Sequence, residues 1–467
     1  MDLWKKWISV VYEFRPACAR TSTFFWMVVI LASFTVRPDL AGVTSFVRGH
    51  WLLERCYNRI LDQFNGSGIK LDLLTQTWVR VSLKIFASFL VKEGDRVVLL
   101  TDGIKNPKEG RKMPAVKFLH QESNNNSKPE YIMAHSIQAV SLLVGAASSF
   151  FGVPLVARIH EGIVLSNRDN RTLYDKLNAM ISNLCLPVQF YLIADAYYSV
   201  RKIIKNTVAN GNHLISRCRT NVVAYYPVSH PQGKRKRGRP RIYGEKVKLK
   251  DFFANLPLFT EIRSPFPDEA GVIIRYLALD LVWRPVGCLV KFVLVVHPKG
   301  KWILVGTDLT LSPVRMIELY GLRFRIELCF KQLIYVVGAF AYRFWLKHMK
   351  KTKRGAGDRY LHRESGKSRK KILAKIGSYH LHLQLGLIAL GLMQWLSLKL
   401  PGLVWRHFGS WMRTMNVELP PSELVVAQAM RNTMADFLVS LPEGHQLAKF
   451  LADKIDFERM PLLRYAG

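Results

Sequence analysis

Two short apolar runs, each followed by an aspartate, constrain the fold of this chain more than any other feature. Asp95–Thr101 reads Asp-Arg-Val-Val-Leu-Leu-Thr and leads into Asp102, and Val188–Ala194 reads Val-Gln-Phe-Tyr-Leu-Ile-Ala and leads into Asp195. Apolar runs of this length predict buried strands. Because an open α/β sheet presents its functional groups at the carboxyl ends of its strands, we expect both aspartates at one edge of such a sheet.

The net charge narrows the class of partner. The chain has 467 residues, with 68 Lys and Arg against 34 Asp and Glu, which gives a formal charge of +34. A compact protein with this excess repels itself unless a polyanion neutralises it, so nucleic acid or an anionic membrane surface is the expected partner. Since 49% of the residues are hydrophobic, the chain can bury a large core, which argues against disorder. The six cysteines are scattered singly, which favours a reducing, cytoplasmic compartment.

The chain divides into five regions. They are a helical N-terminal region (1–90), a first α/β part (91–219), a β-rich block (220–307), a segment that opens with a helix (308–345) and a helical, basic C-terminal region (346–467). The block contains three predicted strands, Gly271–Trp283, Cys288–Val296 and Trp302–Gly306. Ser312 and Pro313 supply an N-cap and a first-turn proline for a helix that is predicted to run to about Ile334.

One face of that helix carries four polar side chains. Arg323, Glu327 and Lys331 follow one another at steps of four residues, and Tyr320 lies seven before Glu327, so all four project to nearly the same side. Taken alone, a carboxylate between two cations predicts an ion-pair ladder on a solvated surface.

Together with the two aspartates, the glutamate indicates a metal site. Two carboxylates at strand ends and a third on a nearby helix would make an oxygen-rich site for Mg²⁺, a hard ion that bridges to phosphate oxygens. Two such ions about 4 Å apart can assist the attacking and the leaving oxygen of a phosphodiester displacement. Asp280 and Asp308 are rival candidates, because their sequence surroundings are similar to those of Asp102 and Asp195. Asp308 is interpreted as a turn residue.

Three motifs carry a resemblance to a known family. Tyr320, Arg323 and Glu327 match the start of its Tyr-Arg-Glu-Lys signature, and the sequences around Asp102 (Leu-Thr-Asp-Gly) and Asp195 (Ile-Ala-Asp-Ala-Tyr-Tyr) look like its two aspartate regions. From about residue 90 to 435 the chain resembles bacterial insertion-sequence transposases of the DDE type. The signature expects Lys seven residues after Glu, where this chain has Ile334, and Lys331 is the nearest alternative.

The resemblance implies an α/β fold with an RNase H-like catalytic core, a β-rich insertion and helical N- and C-terminal regions. Positions 195 and 327 lie 132 apart, which leaves room for the insertion. It implies that Asp102, Asp195 and Glu327 are catalytic ligands of two Mg²⁺ ions, for which Mn²⁺ can substitute. It also implies that Tyr320 and Arg323 approach DNA phosphates or a flipped base near the transposon end, with Lys331 in the same phosphate region.

The implied activity is metal-dependent cleavage of double-stranded DNA at the ends of an insertion sequence, followed by strand transfer into target DNA. The resemblance also implies that the protein forms a homodimer in its complex with DNA. The implied location is the bacterial cytoplasm, in association with the nucleoid. For residues 1–90, a helical cap on the core and a domain that recognises DNA ends remain equally open.

Two basic segments predict further contacts with DNA. Lys234–Arg241 has six cations in eight residues, and Arg237, Arg239 and Arg241 flank a Gly and a Pro that allow an extended path along a minor groove. A solvated linker that neutralises phosphates without selectivity is the alternative. Lys347–Lys375 is similarly basic and predicts contacts with the DNA backbone.

Two other functions compete with a transposase. A catalytically inactive DNA-binding relative, either decayed or domesticated, would have the same composition. A basic membrane protein would rest on the apolar stretches at 21–36 and 376–398. The second is long enough to span a bilayer, but its His and Gln residues favour a buried core helix, so no membrane partner is expected.

Overall fold

A sheet of 13 strands lies at the centre of the computed structural model, which describes residues 2–121, 129–146, 148–228, 241–442 and 444–460. Helices from both ends of the chain pack against this sheet. The mixed α/β fold with helical N- and C-terminal regions is therefore confirmed.

The helices and strands have the following bounds. The N-terminal helices are α1 (Asp2–Val11), α2 (Thr21–Val36), α3 (Val43–Gly49), α4 (Cys56–Asn65) and α5 (Leu71–Ile85). The first α/β part contains β1 (Lys92–Glu93), β2 (Arg96–Pro107), β3 (Lys117–His120), β4 (Tyr131–Ala146), β5 (Ser149–Ile159), β6 (Ile163–Val164), α6 (Leu173–Ser182), β7 (Phe190–Ala194), α7 (Arg201–Ala209) and β8 (His213–Cys218).

The β-rich block contains β9 (Val223–Tyr225), β10 (Lys246–Lys248), β11 (Thr260–Arg263), β12 (Ile273–Trp283), β13 (Cys288–His297) and β14 (Gly300–Gly306). The remaining elements are α8 (Pro313–Gly321), α9 (Arg325–Gln332), β15 (Arg359–Tyr360), α10 (Gly366–Lys399), α11 (Pro401–Phe408), α12 (Glu423–Asn432), α13 (Met434–Val439) and α14 (Gln446–Leu451). The three strands predicted in the block are β12, β13 and β14, with ends within two residues of the prediction.

The first strands have the order expected of an RNase H-like core. β2, β4 and β5 form an antiparallel meander, and β7 and β8 lie parallel to β2 on its other side, which gives the order β5-β4-β2-β7-β8. Parallel neighbours need a crossover, and α7 provides it between β7 and β8. The apolar stretch from residue 137 to 159 is the β4–β5 hairpin of this meander.

The β-rich block continues the core sheet rather than forming a separate layer. β14 pairs antiparallel with β8, and β13, β12 and β9 follow in order beyond it. The block therefore lengthens the sheet on the side away from the meander, next to the strand that follows Asp195.

Two predicted boundaries were wrong. β2 does not end at Thr101 but continues to Pro107, because its antiparallel partner β4 extends beyond the end of its parallel partner β7. The helix predicted from Pro313 to Ile334 is interrupted by a 3₁₀ turn at Leu322–Phe324, resumes as α9 and ends in a π-helical turn at Leu333–Val337.

α10 is the longest helix in the described part of the chain, and by length and composition it could cross a membrane. Its apolar stretch is nevertheless completely buried within the protein, where it packs against β5, α2 and α12. Two of its amide groups donate hydrogen bonds there: Gln384 to the Leu155 carbonyl at 2.9 Å and Gln394 to the Glu423 carboxylate at 2.9 Å. This is the packing of a core helix.

Candidate functional site

Asp102 lies within β2 and Asp195 directly follows β7, and the two residues are at the same level of the sheet. The parallel pairing of β2 with β7 ends where Thr101 lies opposite Ala194, and the two aspartates are the next residues. Neighbouring strands lie about 4.8 Å apart, so the sheet itself brings these carboxyl-bearing residues together.

Backbone amides orient both aspartates. One oxygen of Asp102 accepts a hydrogen bond from the Gly103 amide at 2.7 Å, and one oxygen of Asp195 accepts from the Ala196 amide at 2.6 Å. Each carboxylate is thus fixed through one oxygen, which leaves the other available to a second partner.

Glu327 reaches the same edge through Arg323. Arg323 donates from Nη1 to Asp102 Oδ2 at 3.0 Å and from Nη2 to Glu327 Oε1 at 2.8 Å. The guanidinium is only 18% exposed, and it lies between a carboxylate from the sheet and one from α9. The spacing of four residues between Arg323 and Glu327 alone predicted a surface ion pair. The structure adds a third residue, Asp102 of the sheet, to this pair.

The charges of Asp195 and Glu327 both act on the Asp102 carboxylate. Burial raises the pKa of Asp102 to about 6; the Gly103 amide and Arg323 oppose this shift, and the negative charges of Asp195 and Glu327 add to it. Burial disfavours the charge on Arg323, but Tyr320, Asp102 and Glu327 together raise its pKa. The site therefore concentrates negative charge around one cation.

Tyr320 lies beside Arg323. Burial raises the pKa of its hydroxyl, and the charges of Arg323, Asp195 and Arg217 also act on it. The charge of Asp195 thus acts on Tyr320, whereas Arg323 bonds Asp102. Arg217, on β8, is a cation of this edge that the motifs did not single out.

Gln138 and Tyr198 connect the two strands behind the aspartates. Gln138 Nε2 donates to the Asp102 carbonyl at 3.0 Å and to Thr101 Oγ1 at 3.0 Å, and its Oε1 accepts from the Tyr198 hydroxyl at 2.9 Å. The motifs did not identify Gln138, although a buried amide inside an apolar run is a signal of such a role.

The chemistry of the donors fits a hard divalent cation, since all three are carboxylates. Within the described residues, no three His, Cys, Asp or Glu side chains are arranged closely enough to hold a metal ion. The guanidinium of Arg323 takes one oxygen from Asp102 and one from Glu327. A cation that used these ligands would compete with that guanidinium.

The other predicted DNA contacts are not brought to this edge. Lys331 is exposed one turn after Glu327, without a hydrogen bond to the carboxylates. Arg241 is exposed, at the start of the segment that leads to β10. Arg237 and Arg239 lie outside the described residues.

Asp308 is at the opposite edge of the sheet. It follows β14, which runs antiparallel to β8, and its Oδ1 accepts from the Thr310 amide at 2.8 Å while its Oδ2 accepts from the Tyr191 hydroxyl. This is the turn residue that the sequence indicated, and it is not an alternative third carboxylate.

Part of the chain, with two of the three carboxylates, matches the sequence model of one protein family. Residues 166–344 match the sequence model of a family described as "Transposase DDE domain", a range that includes Asp195 and Glu327 but begins after Asp102. None of the curated proteins matches the chain. A solved structure, the cryo-EM structure of the piggyBac transposase synaptic complex with hairpin DNA, has a TM-score of 0.34 and 11% identity over 96% of this chain and 78% of that chain. A similarity this low supports no further argument.

Proposed function

We propose that the protein is a DDE transposase that cleaves DNA at the ends of an insertion sequence and joins the freed ends to target DNA. The observation that carries the proposal is that Asp102 and Asp195 lie at the same edge of the central sheet and that Arg323 bonds both Asp102 and Glu327. The match of residues 166–344 to a transposase DDE domain supports the same activity.

Asp102, Asp195 and Glu327 would hold Mg²⁺, and a pair of ions is proposed. When bound, such ions polarise the scissile phosphate and activate the attacking oxygen. The amides of Gly103 and Ala196 each hold one oxygen of these aspartates. The second oxygen of Asp102, which Arg323 now bonds, would bind an ion in place of that guanidinium.

Arg323 and Tyr320 would position the DNA. A guanidinium that binds carboxylates can bind a phosphate in the same bidentate manner, so Arg323 is suited to exchange Asp102 and Glu327 for the DNA backbone. Tyr320, on which the charges of both Arg323 and Asp195 act, would contact the same stretch of backbone. The net charge of +34 supports DNA as the partner.

Further DNA contacts are proposed for the basic segment at 234–241 and for Lys331. Since both ends of an element have to be held together during transposition, we also propose that two copies of the chain act on the DNA as a dimer.

Cleavage by purified variants tests the proposal. Asp102→Asn, Asp195→Asn and Glu327→Gln should each abolish Mg²⁺-dependent cutting of a DNA that carries the element ends. Binding of the same DNA in EDTA should change by less than about twofold, since each change removes a negative charge rather than a phosphate contact.

Asp280→Asn is the matched control, because Asp280 is an exposed aspartate on β12. It should cut as the unaltered protein does. Cutting by any of the three variants would refute the role of that residue. If the unaltered protein binds the ends with Mg²⁺ present and never cuts them, the chain is an inactive DNA-binding relative instead.

A further inference from the structure

Cations and a tryptophan share one side of the segment that follows the glutamate-bearing helix. Tyr342 and Phe344 are buried, whereas Arg343, Trp345 and Lys347 are exposed, an alternation typical of extended chain. The three exposed side chains therefore follow one another on the same side. Trp345 is 64% exposed, so a large aromatic face meets solvent between two cations.

Backbone hydrogen bonds fix this segment against the loop after β2. The Leu346 amide donates to the Lys112 carbonyl at 3.0 Å, and Lys112 Nζ donates to the Lys347 carbonyl at 2.8 Å. Arg111 donates from Nε to the Thr352 carbonyl at 3.2 Å and accepts from the Thr352 amide at 2.7 Å. We call Arg111, Lys112, Arg343, Trp345 and Lys347 the cation–tryptophan surface.

One edge of the tryptophan is held by a glycine. A side-chain carbon at Gly110 would lie 3.3 Å from Trp345 Nε1 and 2.7 Å from Met113 Sδ. The Nε1 edge of the indole therefore lies near Gly110. An aromatic ring held at one edge and open on the other side loses little freedom when a second ring stacks on it.

The cations of this surface have no acidic partners. In the part of the chain that the structure describes, none of Arg111, Lys112, Arg343 and Lys347 forms an ion pair. Their positive charge is uncompensated within the protein and is available to phosphates.

We propose that the cation–tryptophan surface binds unpaired nucleotides of a DNA strand, with Trp345 stacked on a base and the flanking cations on phosphates. Every base offers an aromatic face, so such a platform is tolerant of sequence, and a base inside a duplex cannot reach it. The choice of DNA rests on the function proposed above, but the binding test requires no cleavage, so the two proposals can fail separately.

Both chain segments that form the surface continue from elements that carry the candidate carboxylates. β2 carries Asp102 and continues towards Arg111, while the chain after α9 leads to Trp345. Asn106 Nδ2 and Lys108 Nζ donate to the Phe340 carbonyl at 3.3 Å and 2.6 Å, which ties the two paths together. The two segments of the surface are therefore held together on the side from which they continue to the carboxylates.

Fluorescence anisotropy with the full chain in EDTA tests the proposal. The probes are a labelled oligothymidine strand and a duplex of the same length. Trp345→Ala should weaken binding of the single strand by about tenfold, the usual effect of removing one stacking ring, and should change binding of the duplex by less than about twofold. Trp345→Phe should retain most of the affinity for the single strand.

Trp411→Ala is the matched control, because Trp411 is 77% exposed in a different part of the chain. It should leave both affinities unchanged. The proposal is overturned if Trp345→Ala binds the single strand as the unaltered protein does, or if it loses single strand and duplex to the same extent.

A cross-linking experiment on the unaltered protein gives the same answer without a variant. A single strand that contains 5-iodouracil should, on irradiation, form an adduct that mass spectrometry assigns to Trp345. Adducts that map only outside Arg343–Lys347 would overturn the proposal.

Discussion

Arg323 and Asp102, which are 221 residues apart in the chain, are joined by a hydrogen bond of 3.0 Å. The same guanidinium holds Glu327 at 2.8 Å, so one cation neutralises a carboxylate on the central sheet and another on a helix. The side chains of Arg323 and Asp102 are 18% and 21% exposed, which leaves their charges only partly screened by solvent. This cation is therefore part of what holds the glutamate helix at the edge of the sheet.

Replacing this cation should destabilise the protein in a way that a divalent ion repairs. In Arg323→Gln, Asp102 and Glu327 repel each other without a counter-ion, and we expect a loss of about 2 kcal/mol in the free energy of unfolding in EDTA. Because Ca²⁺ can replace the lost charge, it should stabilise the variant more than the unaltered protein. Urea unfolding with and without Ca²⁺ measures both effects.

Arg315→Gln is the control for that experiment. Arg315 also bridges two carboxylates, Glu93 at 2.8 Å and Glu318 at 2.9 Å, but it does so away from Asp102 and Asp195. Ca²⁺ should not restore this variant. An equal gain from Ca²⁺ in both variants would show that the effect does not belong to the candidate site.

Lys108 should make stability depend on pH. Its ammonium donates to the Phe340 and Tyr342 carbonyls, and burial, with the nearby charge of Arg343, lowers its pKa from 10.5 to about 7. Between these two values the unfolded chain binds a proton that the folded chain has released, so the free energy of unfolding should rise as pH increases from 7 towards 10.5. We expect a contribution on the order of 2 kcal/mol, less than the full shift because Lys108 is only partly buried.

Urea unfolding at several pH values, for the unaltered protein and for Lys108→Met, isolates this contribution. The variant also loses two hydrogen bonds, so the comparison concerns the slope of stability with pH and not its absolute value. Identical slopes would contradict the assignment to Lys108.

The sequence predicted the parts of the site that depend on local pattern. A run of about five or six apolar residues that ends at a polar one is enough to predict a buried strand. For this reason Asp195 was expected at the end of a strand, where it lies. Arg323 and Glu327 share a face because they are four residues apart, and this survives the 3₁₀ turn that interrupts the helix before Arg325.

What the sequence did not predict depends on partners that are distant in the chain. The continuation of β2 to Pro107 requires β4, and the contact between Arg323 and Asp102 requires the 3₁₀ turn before α9 to lie beside β2. Gln138 lies in an apolar run whose periodicity does not separate a strand from a helix. No pattern within that run shows that its amide meets the backbone at Asp102.

Two glycines of α10 should respond in opposite ways to the same substitution. A Cβ at Gly391 would lie 2.3 Å from an indole carbon of Trp78, whereas a Cβ at Gly377 meets nothing within 4 Å. Gly391→Ala should therefore cost about 2 kcal/mol through overpacking. Gly377→Ala should stabilise the helix by up to about 1 kcal/mol, the difference in helix propensity.

Thermal unfolding of the two variants measures this difference and tests the placement of α10 in the core. If α10 did not pack against α5 at Trp78, both substitutions would stabilise the helix similarly. That result would contradict the packing described above.

Gln138 should act on catalysis through the position of Asp102, without touching DNA. Its Nε2 donates to the Asp102 carbonyl and to Thr101 Oγ1, each at 3.0 Å, and its Oε1 accepts from the Tyr198 hydroxyl at 2.9 Å. Gln138→Met keeps the volume and removes all three bonds. Loss of such an orienting partner typically costs about 10- to 100-fold in activity or metal affinity, and we expect Mg²⁺-dependent cleavage to fall by this factor while DNA binding in EDTA is unchanged. The requirement for Mg²⁺ should rise in parallel, which general destabilisation would not cause. Gln76→Met, on α5 and remote from the carboxylates, is the control; cleavage by Gln138→Met at the rate of this control would remove Gln138 from the site.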